Sequence, residues 1–344
     1  MKRVILAAAA AACLLTMGGS ASAQVIRIAT IAPEGTPWHD MLLDLNARWK
    51  KVSNGAVSLR IYPNAVQGDE PDYIRKIRIG QLQAAALTSV GMETIAAEAS
   101  ALSIPFLFDS WEELDYVRDR IGPRLKKALE DKGFVVLNFG DAGWVHFFTV
   151  KPAPRPADLK KLKLFTWGNN PATEEMYKGA GFDVVPLAAT EILPALQTGK
   201  IQAFPAPPII AGASQWFGLA KNMTDVKFAA VVGGTIIHKP TWDKIDPALR
   251  EKLLKEAEDV ATLYRPKIRN MEAQAVAEMK KRGLNVVAVP PDALKEWKQA
   301  GENVYPKLRG QYVRAQDFDE VVALVKEFRA KPPAPKTAPA APKK

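Results

Sequence analysis

A chain of 344 residues with 48% hydrophobic and 24% charged side chains can fill sizeable cores, and its length fits two domains. The only cysteine, Cys13, lies in an N-terminal leader, which excludes disulfides and thiolate metal sites from the mature fold. A net charge of +10 would suit nucleic acid, yet the basic residues are scattered beside acids, as in Lys126-Lys127 with Glu130-Asp131, and a solvated basic surface is the better reading.

The leader comes first. Lys2 and Arg3 precede an apolar run over 4–17 and the small residues Ala21-Ser22-Ala23, the pattern of a signal peptide (1–23) cleaved after Ala23. Residues 25–31 then alternate as a strand does. Thr36-Pro37 offers an N-cap and a favoured first helical residue, and Trp38, Met41, Leu42, Leu45, Trp49 and Val52 recur at helical spacing until Asn54-Gly55. Val57, Leu59 and Ile61 share one face of a second strand, and a helix over 71–79 leads through Gly80 to a third strand at 82–87. This order predicts parallel βαβ units and an α/β sheet.

The spacing further predicts a helix over 112–132, strands at 134–139 and 162–167, helices over 171–179 and 190–199, and a strand at 201–204. Asp246-Pro247 opens a helical pattern that reaches Gly283. At about 50 Å such a helix outspans one domain, so it bridges two lobes, with Pro266 expected to kink it. A strand at 285–289 and an amphipathic helix marked by Phe318, Val321, Val322, Val325 and Phe328 follow. Residues 331–344 (KPPAPKTAPAAPKK) read as a flexible tail, and no stretch after the leader approaches a membrane span.

Catalytic and metal motifs do not emerge. His39, His146 and His238 form no HExxH pair or metal-ligand spacing, and no GxSxG, GxGxxG or Walker A loop occurs. Asp69, Glu70 and Asp72 form one dense acidic group, read first as helix capping and second as a cation or polar-ligand site. An enzyme is not expected, and no cofactor is implied.

Several segments, in order, carry a resemblance. Residues 28–35 (IATIAPEG), Tyr62-Pro63-Asn64 with Gln67-Gly68, Pro105-Phe106-Leu107-Phe108, residues 158–163 (DLKKLK), Ala195-Leu196-Gln197-Thr198-Gly199 and Trp242-Asp243-Lys244-Ile245 together resemble the DctP-like family of TRAP-type (tripartite ATP-independent periplasmic) solute-binding proteins. The resemblance implies a two-lobed α/β periplasmic-binding-protein fold with crossing strands and a long interdomain helix. Its expected division is 24–142 plus 231–270 for lobe I and 143–230 plus 271–330 for lobe II. It also implies a monomer in the periplasm that captures a small molecule in the cleft and hands it to the small and large subunits of a membrane permease, with no nucleic-acid partner.

The departures from the family pattern concern the ligand. Phe165 stands where the family's "GLKIR" strand ends in a carboxylate-binding arginine, and Val145 where a second arginine is frequent. After ALQTG the family's "VVDGQENP" becomes residues 201–207 (IQAFPAP). A buried carboxylate without its guanidinium costs several kcal/mol. An apolar, aromatic or amphipathic ligand is therefore expected, lined by Trp144, Val145, Phe165, Trp167, Phe204 and Ala206, with Gln67, Thr88, Ser89 and Asn169 orienting its polar groups. The alternatives are a carboxylate held by another cation, such as Arg27, Arg60 or Arg75, and an accessory periplasmic sensor.

Overall fold

The computed structural model describes residues 23–168 and 171–331; the leader, Asn169 and the tail beyond Lys331 lie outside them. In chain order the strands are β1 (Gln24–Thr30), β2 (Val57–Tyr62), β3 (Ala84–Leu87), β4 (Phe134–Trp144), β5 (His146–Thr149), β6 (Lys163–Trp167), β7 (Asp183–Leu187), β8 (Ala203–Ala206), β9 (Asn222–Thr224), β10 (Ala230–His238) and β11 (Asn285–Val287). They form two sheets, ordered β2-β1-β3-β10-β4 and β11-β9-β5-β8-β6-β7.

The opening βαβ units form as expected: β1 pairs in parallel with β2 and β3. Helix Pro37–Val52 buries Met41, Leu42, Leu45 and Trp49 in a core shared with Ile26 and Ile28 of β1. A purely parallel reading does not describe the rest. β10 runs antiparallel to both β3 and β4, and β5 antiparallel to β8 and β9. β10 is almost wholly buried, so it has no period-two pattern to announce it. Its two glycines are structural: a Cβ on Gly233 would stand 2.1 Å from the Leu87 carbonyl oxygen, and one on Gly234 2.8 Å from that of Asn138.

The long helix spans Pro247–Lys281, 35 residues, with the Asp246 side chain accepting from Leu249 N at 3.0 Å, and it continues through Pro266. Its first half lies on the first sheet, where Trp49 Nε1 donates to the Leu253 carbonyl and Asn138 Nδ2 to that of Ala257, each at 2.9 Å. Near its end, Met279 enters the core of the second sheet with Phe148, Phe165, Ile192 and Phe204. One helix thus spans both lobes. The expected helix over 190–199 is shorter, a 3-10 turn Ala189–Glu191 followed by Ile192–Gln197.

The stretch 271–330, expected in the second lobe, ends in a helix that packs against residues of the expected first lobe. Helix Ala315–Ala330 packs on helix Trp111–Asp131, burying Phe318, Val321 and Val325 beside Leu114, Val117 and Ile121. Arg124 pairs with Asp317 and Glu320, and Arg329 with Glu113. The amphipathic pattern of that last helix specifies a buried face, not which element covers it.

Candidate functional site

Two cavities of about 440 and 450 Å³ open between the sheets and share Ile31, Thr88, Ala189, Ile210 and Trp216 on their walls, making one continuous cleft. The first is bounded by the C-terminal ends of β1 and β3, by Gly233 to Thr235 of β10 and by Asp141 of β4; the second by β6, β8 and helix Ser89–Ile95. Clefts at strand ends between two lobes are where α/β proteins place ligands.

The acidic group at 69–72 sets up one rim. Asp69 caps helix Glu70–Arg78, accepting from Glu70 N at 2.8 Å, while Asp72 accepts from Asp69 N at 3.2 Å, a capping box. The other Asp69 oxygen accepts from Ala189 N at 3.0 Å, joining the two walls across the cleft. Glu70 turns inward and accepts from Thr88 N (2.7 Å), Thr88 Oγ1 (2.8 Å) and Gly91 N (2.7 Å), which fixes the turn leading into helix Ser89–Ile95. Burial pushes its carboxyl up to about 7, against the pull of these donors.

At the other end, the fully buried Asp141 carboxylate accepts from Arg118 Nη1 (2.6 Å) and Arg269 Nε (2.7 Å). Asp115 also receives Arg269, at 2.6 and 2.8 Å, together with Arg118. Burial opposes ionisation of Asp115, but the Arg269 hydrogen bonds together with the charges of Arg118, Arg269 and Arg265 outweigh it and hold its carboxyl below the usual range. Arg265 lies 4.0 Å from Asp141, its guanidinium pulled down by burial and then by Arg118.

Of the residues expected at the site, Thr88, Ser89, Val145, Phe165, Trp167 and Ala206 line the second cavity. Phe165 is also fully buried, edge-on to Trp167 with ring centroids 4.9 Å apart. Three others lie elsewhere. Trp144 faces the core, 4.8 Å from the Trp111 ring, because it points opposite to Val145 at the strand's end. Phe204 stacks on Phe148 at 5.1 Å and is covered edge-on by Trp216, which takes its place on the wall. Gln67 accepts from Lys76 Nζ through its carbonyl and Oε1, at 2.7 and 3.1 Å. Asn169 lies outside the described residues.

Sequence reasoning missed Trp216, Ile210, Tyr177, Tyr312 and Glu93, all on the walls of the second cavity. They come from short helices and turns whose apolar residues carry no period. No lysine, arginine or histidine lines either cavity among the described residues, whereas Glu70, Glu93 and Asp141 do. The three arginines considered as replacement cations are engaged elsewhere: Arg27 with Gln83 and the Gly80 carbonyl, Arg60 over the Tyr62 ring, and Arg75 with Asp72.

Comparison with known proteins fits this architecture. The model of the family "Bacterial extracellular solute-binding protein, family 7" (DctP) matches residues 28–311. The 2,3-diketo-L-gulonate-binding periplasmic protein YiaO of Escherichia coli is 24% identical over 270 residues, 78% of this chain and 82% of that protein. Among solved structures, a TRAP periplasmic solute-binding protein from Xanthobacter autotrophicus with bound β-D-galacturonate superposes with a TM-score of 0.81 at 22% identity, covering 88% of this chain and 99% of the other. One from Shewanella oneidensis with bound succinate gives 0.81 at 16% identity, covering 88% and 99%. With the family model matched over most of its length and the two-sheet cleft in place, the chain belongs to the DctP family of extracellular solute-binding proteins.

Proposed function

We propose that this protein is the periplasmic solute-binding component of a TRAP-type secondary transporter, carrying an apolar, aromatic or amphipathic solute rather than a small organic acid. The observation that carries this reading is the lining of the cleft: aromatic and aliphatic side chains, three carboxyl groups and no cation among the described residues. Relatives hold diketogulonate, galacturonate or succinate. In this cleft such an anion would lose its hydration and meet Glu70, Glu93 and Asp141 without a free guanidinium, at a cost of several kcal/mol. An apolar body gains instead about 25 cal/mol per Å² buried.

Delivery follows from closure. Secretion through the cleaved leader places the protein in the periplasm as a monomer. A solute touching both lobes favours the closed form, and the permease subunits receive it on opening.

Native mass spectrometry of the purified protein, followed by solvent extraction, tests the ligand class. An apolar or amphipathic molecule carried through purification is expected. Binding of it should show a negative heat-capacity change and little dependence on salt. Recovery of a dicarboxylate or sugar acid, or micromolar affinity for succinate or galacturonate, would overturn the reading.

A further inference from the structure

We propose that the second cavity recognises the ammonium group of an apolar amine through Glu93. This rests on the apolar-solute reading above and narrows it to a chemical class.

The argument starts from the three carboxyl groups on the cleft walls. Glu70 is filled by three protein donors and Asp141 by two arginines. Glu93, on helix Ser89–Ile95, has no hydrogen bond or ion pair among the described residues, although it lines the cavity. An acceptor pair facing an apolar space is costly to leave unmade, and a solute that donates to it recovers that cost.

The surroundings favour a cation over a neutral donor. Phe165, Trp167, Tyr177, Trp216, Phe228 and Tyr312 contribute rings to the same cavity, and aromatic faces attract a desolvated ammonium. Among the described residues nothing basic on the walls competes for Glu93 or repels a cation. Three hydroxyls on the same walls already give their protons to protein acceptors: Thr88 to Glu70, Thr94 to the Gly91 carbonyl and Ser100 to that of Ala97. The Trp167 Nε1 and Ser103 Oγ atoms, also without partners, are buried away from accessible space. Among the described residues the wall thus carries one carboxyl without a partner, set amid aromatic rings and with no basic group, the complement of an ammonium ion. Burial, with Glu70 nearby, pushes the Glu93 carboxyl up to about 8, so pairing with a cation at neutral pH releases a proton.

The test is calorimetric titration of the purified protein, stripped of carried solute, with three probes of one skeleton: 2-phenylethylamine, 2-phenylethanol and 3-phenylpropanoate. The amine is expected to bind about tenfold tighter than the alcohol at pH 8, with proton release that buffers of different ionisation enthalpy reveal. Glu93→Gln, which keeps the side chain's shape, should bring the amine-to-alcohol ratio to about one; its unfolding midpoint reports that the fold is kept. Equal affinity for amine and alcohol, or an amine preference that survives Glu93→Gln, overturns the assignment and leaves the apolar reading standing. Tighter binding of the carboxylate than of both others overturns the two together. A protein that takes none of the three at millimolar concentration also overturns the amine assignment.

Discussion

The cleft and the junction beside it treat charge in opposite ways. Where β4 meets the long helix, Asp115 and Asp141 gather Arg118, Arg265 and Arg269 into a buried network in which each carboxylate has at least two guanidinium partners. Across the walls of the second cavity, a carboxyl faces aromatic rings with no counter-charge among the described residues. Three guanidinium groups serve the place where the lobes join, and among the described residues none lines the cleft. A buried network that is complete specifies one geometry, whereas a buried charge left incomplete waits for a partner.

The sharpest way to break that contrast is at the junction. Asp141→Asn removes the charge that two arginines share at a site where the carboxylate has no exposure, and leaves guanidinium groups buried without compensation. The expected loss is about 3–5 kcal/mol in urea unfolding. A loss below about 1 kcal/mol would mean that Asp115 alone holds the arginines and that the network is redundant.

The next effect belongs to the cleft and appears as a pH dependence. Glu93 has an ordinary value of 4.5 but is raised to about 8 by burial and then by Glu70, itself raised to about 7. Between 4.5 and 8 the native state holds a proton that the unfolded chain has released. Stability is therefore fullest below the lower value and falls as pH rises through the upper one. For this protein without added solute the fall is on the order of several kcal/mol, the larger share belonging to Glu93. Glu93→Gln should flatten most of it, leaving the part due to Glu70. A flat profile in the unaltered protein would show that water or an ion already compensates the cleft.

The contrast was only partly legible in the sequence. The βαβ opening, the Asp246-Pro247 cap and the long bridging helix follow from local periodicity and capping, and the structure has them. Phe165, Val145 and Ala206 were placed on the cleft by resemblance, because a motif's position in the strand carries over even when the residue has changed. The rest depends on contacts that no local pattern encodes. The family pattern points to Trp144 and Phe204 as cleft residues, but side-chain alternation and the covering Trp216 turn them into core. β10 stayed unread since both its faces are buried. Glu93 stayed unread since its meaning lies in what is absent around it, and an absence has no motif.

A swap at Phe165 sharpens the comparison from the ligand's side. Phe165→Arg places a guanidinium where the family pattern has one, on a wall now lined mainly by rings and aliphatic side chains. Affinity for an apolar solute should drop by about 2 kcal/mol, roughly thirtyfold, as ring burial is lost. Binding of succinate should become measurable in the same titration. If the variant keeps its apolar affinity, Phe165 is core and its border with the cavity is incidental.

The smallest expected effect separates closure from recognition. Asp69 spends one oxygen on capping its own helix and the other on Ala189 N of the opposite wall. Asp69→Asn keeps one acceptor oxygen for the cap but turns the other into an amide NH2 that cannot accept from Ala189 N, a lost hydrogen bond worth about 1 kcal/mol. If that bond serves closure, the cost falls on the closed form alone. Solute affinity should then weaken about fivefold, the amine-to-alcohol ratio should stay where Glu93 sets it, and the unfolding midpoint should barely move. Distance measurement between labels on the two lobes would show a larger open fraction without solute. A change in probe selectivity instead would mean that the latch shapes the pocket, and the division between a charged frame and an apolar cleft would be less clean than the lining residues suggest.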